Sequence, residues 1–109
     1  MLLEPILGSA NRERVLIYLQ GRDEGYAREI ARFFETDLSP VQDQLERLEA
    51  GGIIVSKEMG RTVLYRFNPR YAFLKELRNL LEKTISYYPD ETQERLLMNR
   101  RRPRRRGKP

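Results

Sequence analysis

A chain of 109 residues, 39% of them hydrophobic and none tryptophan, has room for one small domain and little for a large catalytic cleft. With no cysteine and no histidine it can form no disulfide, no thiolate or imidazole metal site, and no Cys or His nucleophile, so a non-enzyme without metal or cofactor is expected. The net charge of +5 is unevenly placed: Arg100, Arg101, Arg102, Arg104, Arg105, Arg106 and Lys108 carry no acid among them, leaving 14 basic against 16 acidic residues in positions 1–99.

Met1-Leu2-Leu3-Glu4-Pro5-Ile6-Leu7 lacks the basic lead and long apolar run of a secretory signal, and no stretch approaches a membrane span. A cytoplasmic protein without a membrane partner is expected. Ser9 offers a cap for a helix from about Asn11 to Gln20, with Val15, Leu16 and Leu19 on its core face. Gly21 to Gly25 reads as a turn, and Tyr26 to Phe34 as a short second helix with Ala27, Ile30, Ala31 and Phe34 inward. Glu35 to Leu38 turns the chain, and Leu38 plugs the junction into a third helix.

That third helix has the clearest local signal. Ser39 is placed as N-cap, Pro40 as first helical residue and Gln42 as capping-box partner. Val41, Leu45 and Leu48 recur at helical spacing toward a core, which sets Gln42, Asp43, Glu46 and Arg47 on the opposite side. Gly51-Gly52 stops the helix, and Ile53 to Lys57 with Thr62 to Phe67 read as paired strands around Met59-Gly60-Arg61. The predicted fold is mostly α with a β-hairpin, a winged helix-turn-helix.

Asn68-Pro69 is expected to open a long C-terminal helix that reaches Tyr88 before Pro89. Leu74, Leu77, Leu81 and Tyr88 form one apolar stripe, and Phe73, Leu80 and Tyr87 a second beside it. Two stripes on one helix need two covering surfaces. One winged domain supplies one of them, so a homodimer is predicted, with Leu3, Ile6, Leu74, Leu77, Leu81 and Tyr88 at its interface. A short helix follows over Asp90 to Asn99, capped by Asp90 with Gln93 as box partner. The division expected is a winged-helix and dimerisation domain over residues 1–88, the short helix over 89–99, and a disordered Arg-rich tail over 100–109.

Ile6-Leu7-Gly8-Ser9, Tyr26-Ala27-Arg28-Glu29-Ile30-Ala31, Leu38-Ser39 with Val41, Leu45 and Leu48, and Gly52-Ile53-Ile54 resemble the ArsR-like winged-helix repressors over Ile6 to about Ile85. The hairpin end Tyr65-Arg66-Phe67-Asn68-Pro69 and the helix after it are similar to small regulators associated with minimal nucleotidyltransferases. The resemblance implies a dimer that reads a short inverted repeat, third helix in the major groove and hairpin near the minor groove or backbone. Metal-sensing members use cysteines or His and Asp pairs, so the likeness is to non-metal-sensing members.

DNA reading needs phosphate contacts for affinity and base-edge contacts for specificity. Candidates on the third helix are Ser39, Pro40, Gln42, Asp43, Gln44 and Arg47; on the wing they are Lys57, Arg61 and Arg66. Each has a plainer reading: Gln42 completes a cap, Asp43 complements the helix dipole, Arg47 pairs with a neighbouring Glu, and the wing bases line a solvated strand. Arg100, Arg101, Arg102, Arg104, Arg105 and Arg106 are expected to meet DNA phosphates, against non-specific RNA binding, a solubility role or an acidic protein partner. The acids Asp43, Glu46 and Glu49 keep a second function open: a protein-interaction module, for example for a nucleotidyltransferase, with a non-specific nucleic-acid-binding tail.

Overall fold

The computed structural model describes residues 1–97. Its elements run α1 (Glu4–Leu7), α2 (Ala10–Arg22), β1 (Glu24–Tyr26), α3 (Ala27–Phe33), α4 (Leu38–Ala50), β2 (Ile54–Met59), β3 (Thr62–Phe67) and α5 (Leu74–Ile85). A last helical segment, α6, covers residues 90–97. The three strands form one antiparallel sheet in the order β1-β3-β2, which makes the protein a winged helix.

α2 is the centre of the molecule. Ser9 caps it as expected, its hydroxyl accepting from the Arg12 backbone N–H at 3.1 Å. Every residue from Val15 to Gly21 is buried, because α1, α3, α4, α5 and the sheet pack around this one helix. It extends two residues beyond the expected end, and Asp23, at φ 74°, turns the chain into β1. The segment predicted as a turn therefore supplies the end of α2 and the start of β1. Gly25 in β1 lies against the Tyr18 ring so closely that a Cβ there would sit 2.6 Å from the ring edge. Tyr18 also meets Phe33 of α3 edge-on, 5.6 Å between ring centroids. Phe33 is more deeply buried than Phe34, which, expected inward, packs half-buried against the same core.

α4 begins one residue before Ser39. Asp37 is the N-cap, Leu38 the first helical residue, and no side chain caps the helix. Pro40 is tolerated at the third position because that N–H has no partner inside a helix. Gln42 is then too far along to complete a box, so the expected Ser39–Gln42 capping pair does not form. The other end matches: Gly52 adopts φ 80°, Gly52 N–H donates to Glu49 O and Ile53 N–H to Leu48 O, both at 3.0 Å. These two bonds satisfy the terminal carbonyls of α4.

Asn68 does not open α5. Its backbone N–H donates to Ile53 O at 3.0 Å and its side-chain amide to Gly52 O at 2.8 Å, fastening the hairpin's exit to the end of α4. Turns follow until Leu74, and α5 ends at Ile85, not Tyr88. Thr84 and Ser86 turn their hydroxyls back onto Leu80 O and Lys83 O, which helps break the helix there.

α6 docks on α2. Leu96 is fully buried against Gly21, and Arg22 reaches across to Arg95 O and Leu96 O at 2.8 and 3.2 Å. Arg95 donates to Phe33 O at 3.0 Å with its guanidinium 4.3 Å from the Phe33 ring centroid. Residue 90 is already helical, and the Gln93 amide donates to Tyr88 O, so the expected Asp90–Gln93 box is replaced by a bond outward. A Cβ at Gly21 would lie 3.0–3.3 Å from Leu96 side-chain atoms. Gly21→Val is expected to expel α6 at a cost of about 1–3 kcal/mol, with faster proteolysis after Pro89. Unchanged cleavage and melting would show that the α2–α6 contact yields freely.

Among the described residues no helix is long and apolar enough to cross a membrane.

Candidate nucleic-acid interface

The third helix of the expected motif is α4, held by Val41, Leu45 and Leu48, which are buried. Ser39, Pro40, Gln42, Asp43, Glu46, Arg47 and Glu49 are exposed on it. These positions occupy the outward side, as the 3.6-residue period requires. They are not equivalent. Gln42 and Glu46, one turn apart, border a groove of about 340 Å³ that the wing closes with Arg61, Thr62, Val63 and Tyr65. Asp43 and Arg47 form the adjoining ridge, paired Nε to Oδ2 at 2.9 Å. Gln44 is half-buried and accepts from Arg12 Nε at 2.8 Å, so this candidate reader is committed to α2.

On the wing, Met59 pairs with Thr62, which leaves Gly60-Arg61 as a two-residue tip with Gly60 at φ 64°. Arg61 projects from that tip to the groove. Lys57 and Arg66 do not join it. Strand alternation puts Ser56, Tyr65 and Val63 on the side toward α4, where Ser56 Oγ donates to Glu49 at 2.6 Å. Lys57 and Arg66 stand in register with Leu64 and Val55 on the opposite face of the sheet. The expected wing cluster is thus split between two faces.

The groove brings in Arg28, which sequence pattern alone did not single out as a contact residue. It sits in the first turn of α3, across from Arg61, with Tyr26 and Ala27 beside it. Glu29 accepts from the Tyr26 backbone N–H at 3.0 Å, fixing the start of α3 and so the place of Arg28. Its signal is present in Tyr26-Ala27-Arg28-Glu29, but only the sheet formed by β1 shows that this turn faces the wing. Arg28 and Arg61 form no ion pair among the described residues. Burial, then Glu49 and Glu46, push the Tyr65 hydroxyl above its ordinary pKa, so the α4 side of the groove is acidic. The arrangement has a cationic rim, an acidic inner wall and Gln42 between them. The expected tail contacts Arg100, Arg101, Arg102, Arg104, Arg105 and Arg106 lie outside the described residues.

No protein-family model and no curated protein matches the chain. Two solved structures of a Lactococcus lactis ZitR mutant do match in fold. One aligns with TM-score 0.53 and 18% identity over 79% of this chain and 66% of its own; the other, an apo form, with 0.55 and 20% over 85% and 79%. The helix order, the three-stranded sheet and these two superpositions together establish the winged-helix fold.

Proposed function

We propose that this chain is a homodimeric, sequence-specific DNA-binding transcriptional regulator of the ArsR-like kind, acting as a repressor. The observation that carries the reading is the groove itself: an outward polar helix and a Gly-Arg wing tip share one concave surface whose rim holds Arg28 and Arg61. With α4 in a major groove, Gln42 is placed for an adenine edge, and Arg28 and Arg61 for flanking phosphates. Ser39 and Pro40 enter first, at the N-terminal turn, where backbone N–H groups favour phosphate. Arg100 to Arg106 then add affinity without sequence preference and offset the acids on α4.

Two-fold pairing is supported by the apolar face left open. Phe73 just before α5, Leu80 within it and Tyr87 just after it are 63%, 41% and 70% exposed, and Ile6 of α1 is 76% exposed. Leu2 N–H and Tyr88 Oη both donate to the Glu13 carboxylate, which sets the N-terminal segment beside the end of α5. These residues supply the surface for a second copy.

Selection from a random duplex pool tests the reading. An inverted repeat with half-sites about one helical turn apart is expected. Gln42→Ala should relax one base position by about 1–3 kcal/mol, and Arg61→Ala should weaken all sequences alike, lowering the salt slope by about 0.9. A second reading rests on Asp43, Glu46 and Glu49: a winged-helix module whose α4 meets a protein such as a nucleotidyltransferase. An unenriched pool, with DNA binding lost once residues 100–109 are removed, would favour it.

A further inference from the structure

A second concavity lies on the other side of α4. Ile6 and Leu7 of α1, Leu48 and Ile53 around the end of α4, and Leu77 of α5 wall a cleft of about 400 Å³. That volume falls within the range of small-molecule sites, about 300–1,000 Å³. Arg12 and Arg47 line the same cleft. Arg47 is paired to Asp43. Arg12 is half-buried; its Nε donates to Gln44 and its Nη1 to Leu7 O at 2.9 Å, and it has no carboxylate partner among the described residues. A part-buried cation held by neutral oxygens favours an anion, and a guanidinium matches the planar fork of a carboxylate. Bare phosphate would leave the apolar walls uncovered.

We propose that this cleft binds a small aliphatic carboxylate, its head on Arg12 with Arg47 beside it and its chain along Leu7, Leu48 and Leu77. The head competes with Gln44 for Arg12 and with Asp43 for Arg47, and both competitors belong to α4. An occupied cleft therefore acts on the helix that borders the wing groove. The binding step stands independently; the effect on DNA rests on the function proposed above.

Sodium octanoate is the probe, titrated calorimetrically into the full-length protein without DNA, with octanol and acetate as its separate halves. Octanoate is expected to bind saturably, and each half at least tenfold more weakly. Arg12→Met should weaken octanoate at least tenfold, and Arg12→Lys less. Arg47→Met changes an exposed position, and its expected loss of at least threefold keeps the test decisive should Arg12→Met fail to fold. Octanol binding equal to octanoate, affinity indifferent to both Met substitutions, or no saturable uptake in the low-millimolar range would overturn the proposal; the last would leave the cleft to a second copy of the chain. Octanoate uptake by a protein that binds no duplex would support the site and remove only the DNA reading.

Discussion

Leu81→Glu is expected to unfold the protein, whereas Phe73→Glu combined with Tyr87→Glu should leave it folded and monomeric. Leu81 has no exposed surface and belongs to the core formed around α2. A carboxylate there would be buried in that apolar core, and such burial costs several kcal/mol, a large part of a small domain's stability. Phe73 and Tyr87 lie mostly in solvent, so charging them leaves the protomer's packing intact. Their cost appears only where a second copy must cover them. Sedimentation velocity with denaturant unfolding separates the two outcomes. A folded Leu81→Glu protein would contradict the burial of α5's inner stripe, and a dimeric Phe73→Glu, Tyr87→Glu protein would move the interface elsewhere.

This result bears on the interface expected from sequence, Leu3, Ile6, Leu74, Leu77, Leu81 and Tyr88. Leu3 and Leu81 are consumed inside the protomer at 6% and 0% exposure, and Leu74, Leu77 and Tyr88 pack half-buried against the same core. Of that set Ile6 is the residue mostly in solvent, and Leu74, Leu77 and Tyr88 keep part of their surface for a second copy. The heptad spacing identifies which residues share a stripe, but both stripes are equally apolar, and nothing local says which one α2 will cover.

Glu13→Ala should lower stability by about 3 kcal/mol, with Tyr88→Phe costing about a third of that. Glu13 is completely buried on α2, and its carboxylate accepts from Leu2 N–H at 3.1 Å, Leu3 N–H at 2.8 Å and Tyr88 Oη at 2.6 Å. Its removal strands three donors, one of them the N–H of buried Leu3, and unfastens both ends of the proposed dimer face. Burial, then the bond to Glu13, raise the Tyr88 hydroxyl well above its ordinary value. The sign follows from linkage. A raised folded pKa means the unfolded chain loses its proton first, so this stabilisation is complete below about pH 10 and declines as pH rises beyond it. Burial raises Tyr18 as well, in the same direction. Denaturation profiles on either side of pH 10 should show a shallower alkaline fall in Tyr88→Phe than in the parent. An identical fall would assign the alkaline loss to other groups.

The local devices of the fold are legible in the amino-acid sequence: Ser9 as a cap, Gly52 as a helix stop, Gly60 at the wing tip, and the Val41-Leu45-Leu48 stripe. Each depends on one residue's backbone freedom or on side chains within two helical turns, and such information is carried by neighbouring positions. Tertiary structure alone decided the rest. β1 is only three residues long and exists because β3 pairs with it and Gly25 clears Tyr18. Gln44 passed from candidate reader to partner of Arg12, and Glu13 and Arg28 gained importance, through neighbours 32, 75 and some 33 positions away in sequence. Sequence determined which surfaces are apolar, polar or charged. Only the packing around α2 could decide which of them are spent on the protomer and which remain for DNA, a second copy or a ligand, because burial is a property of the assembled chain.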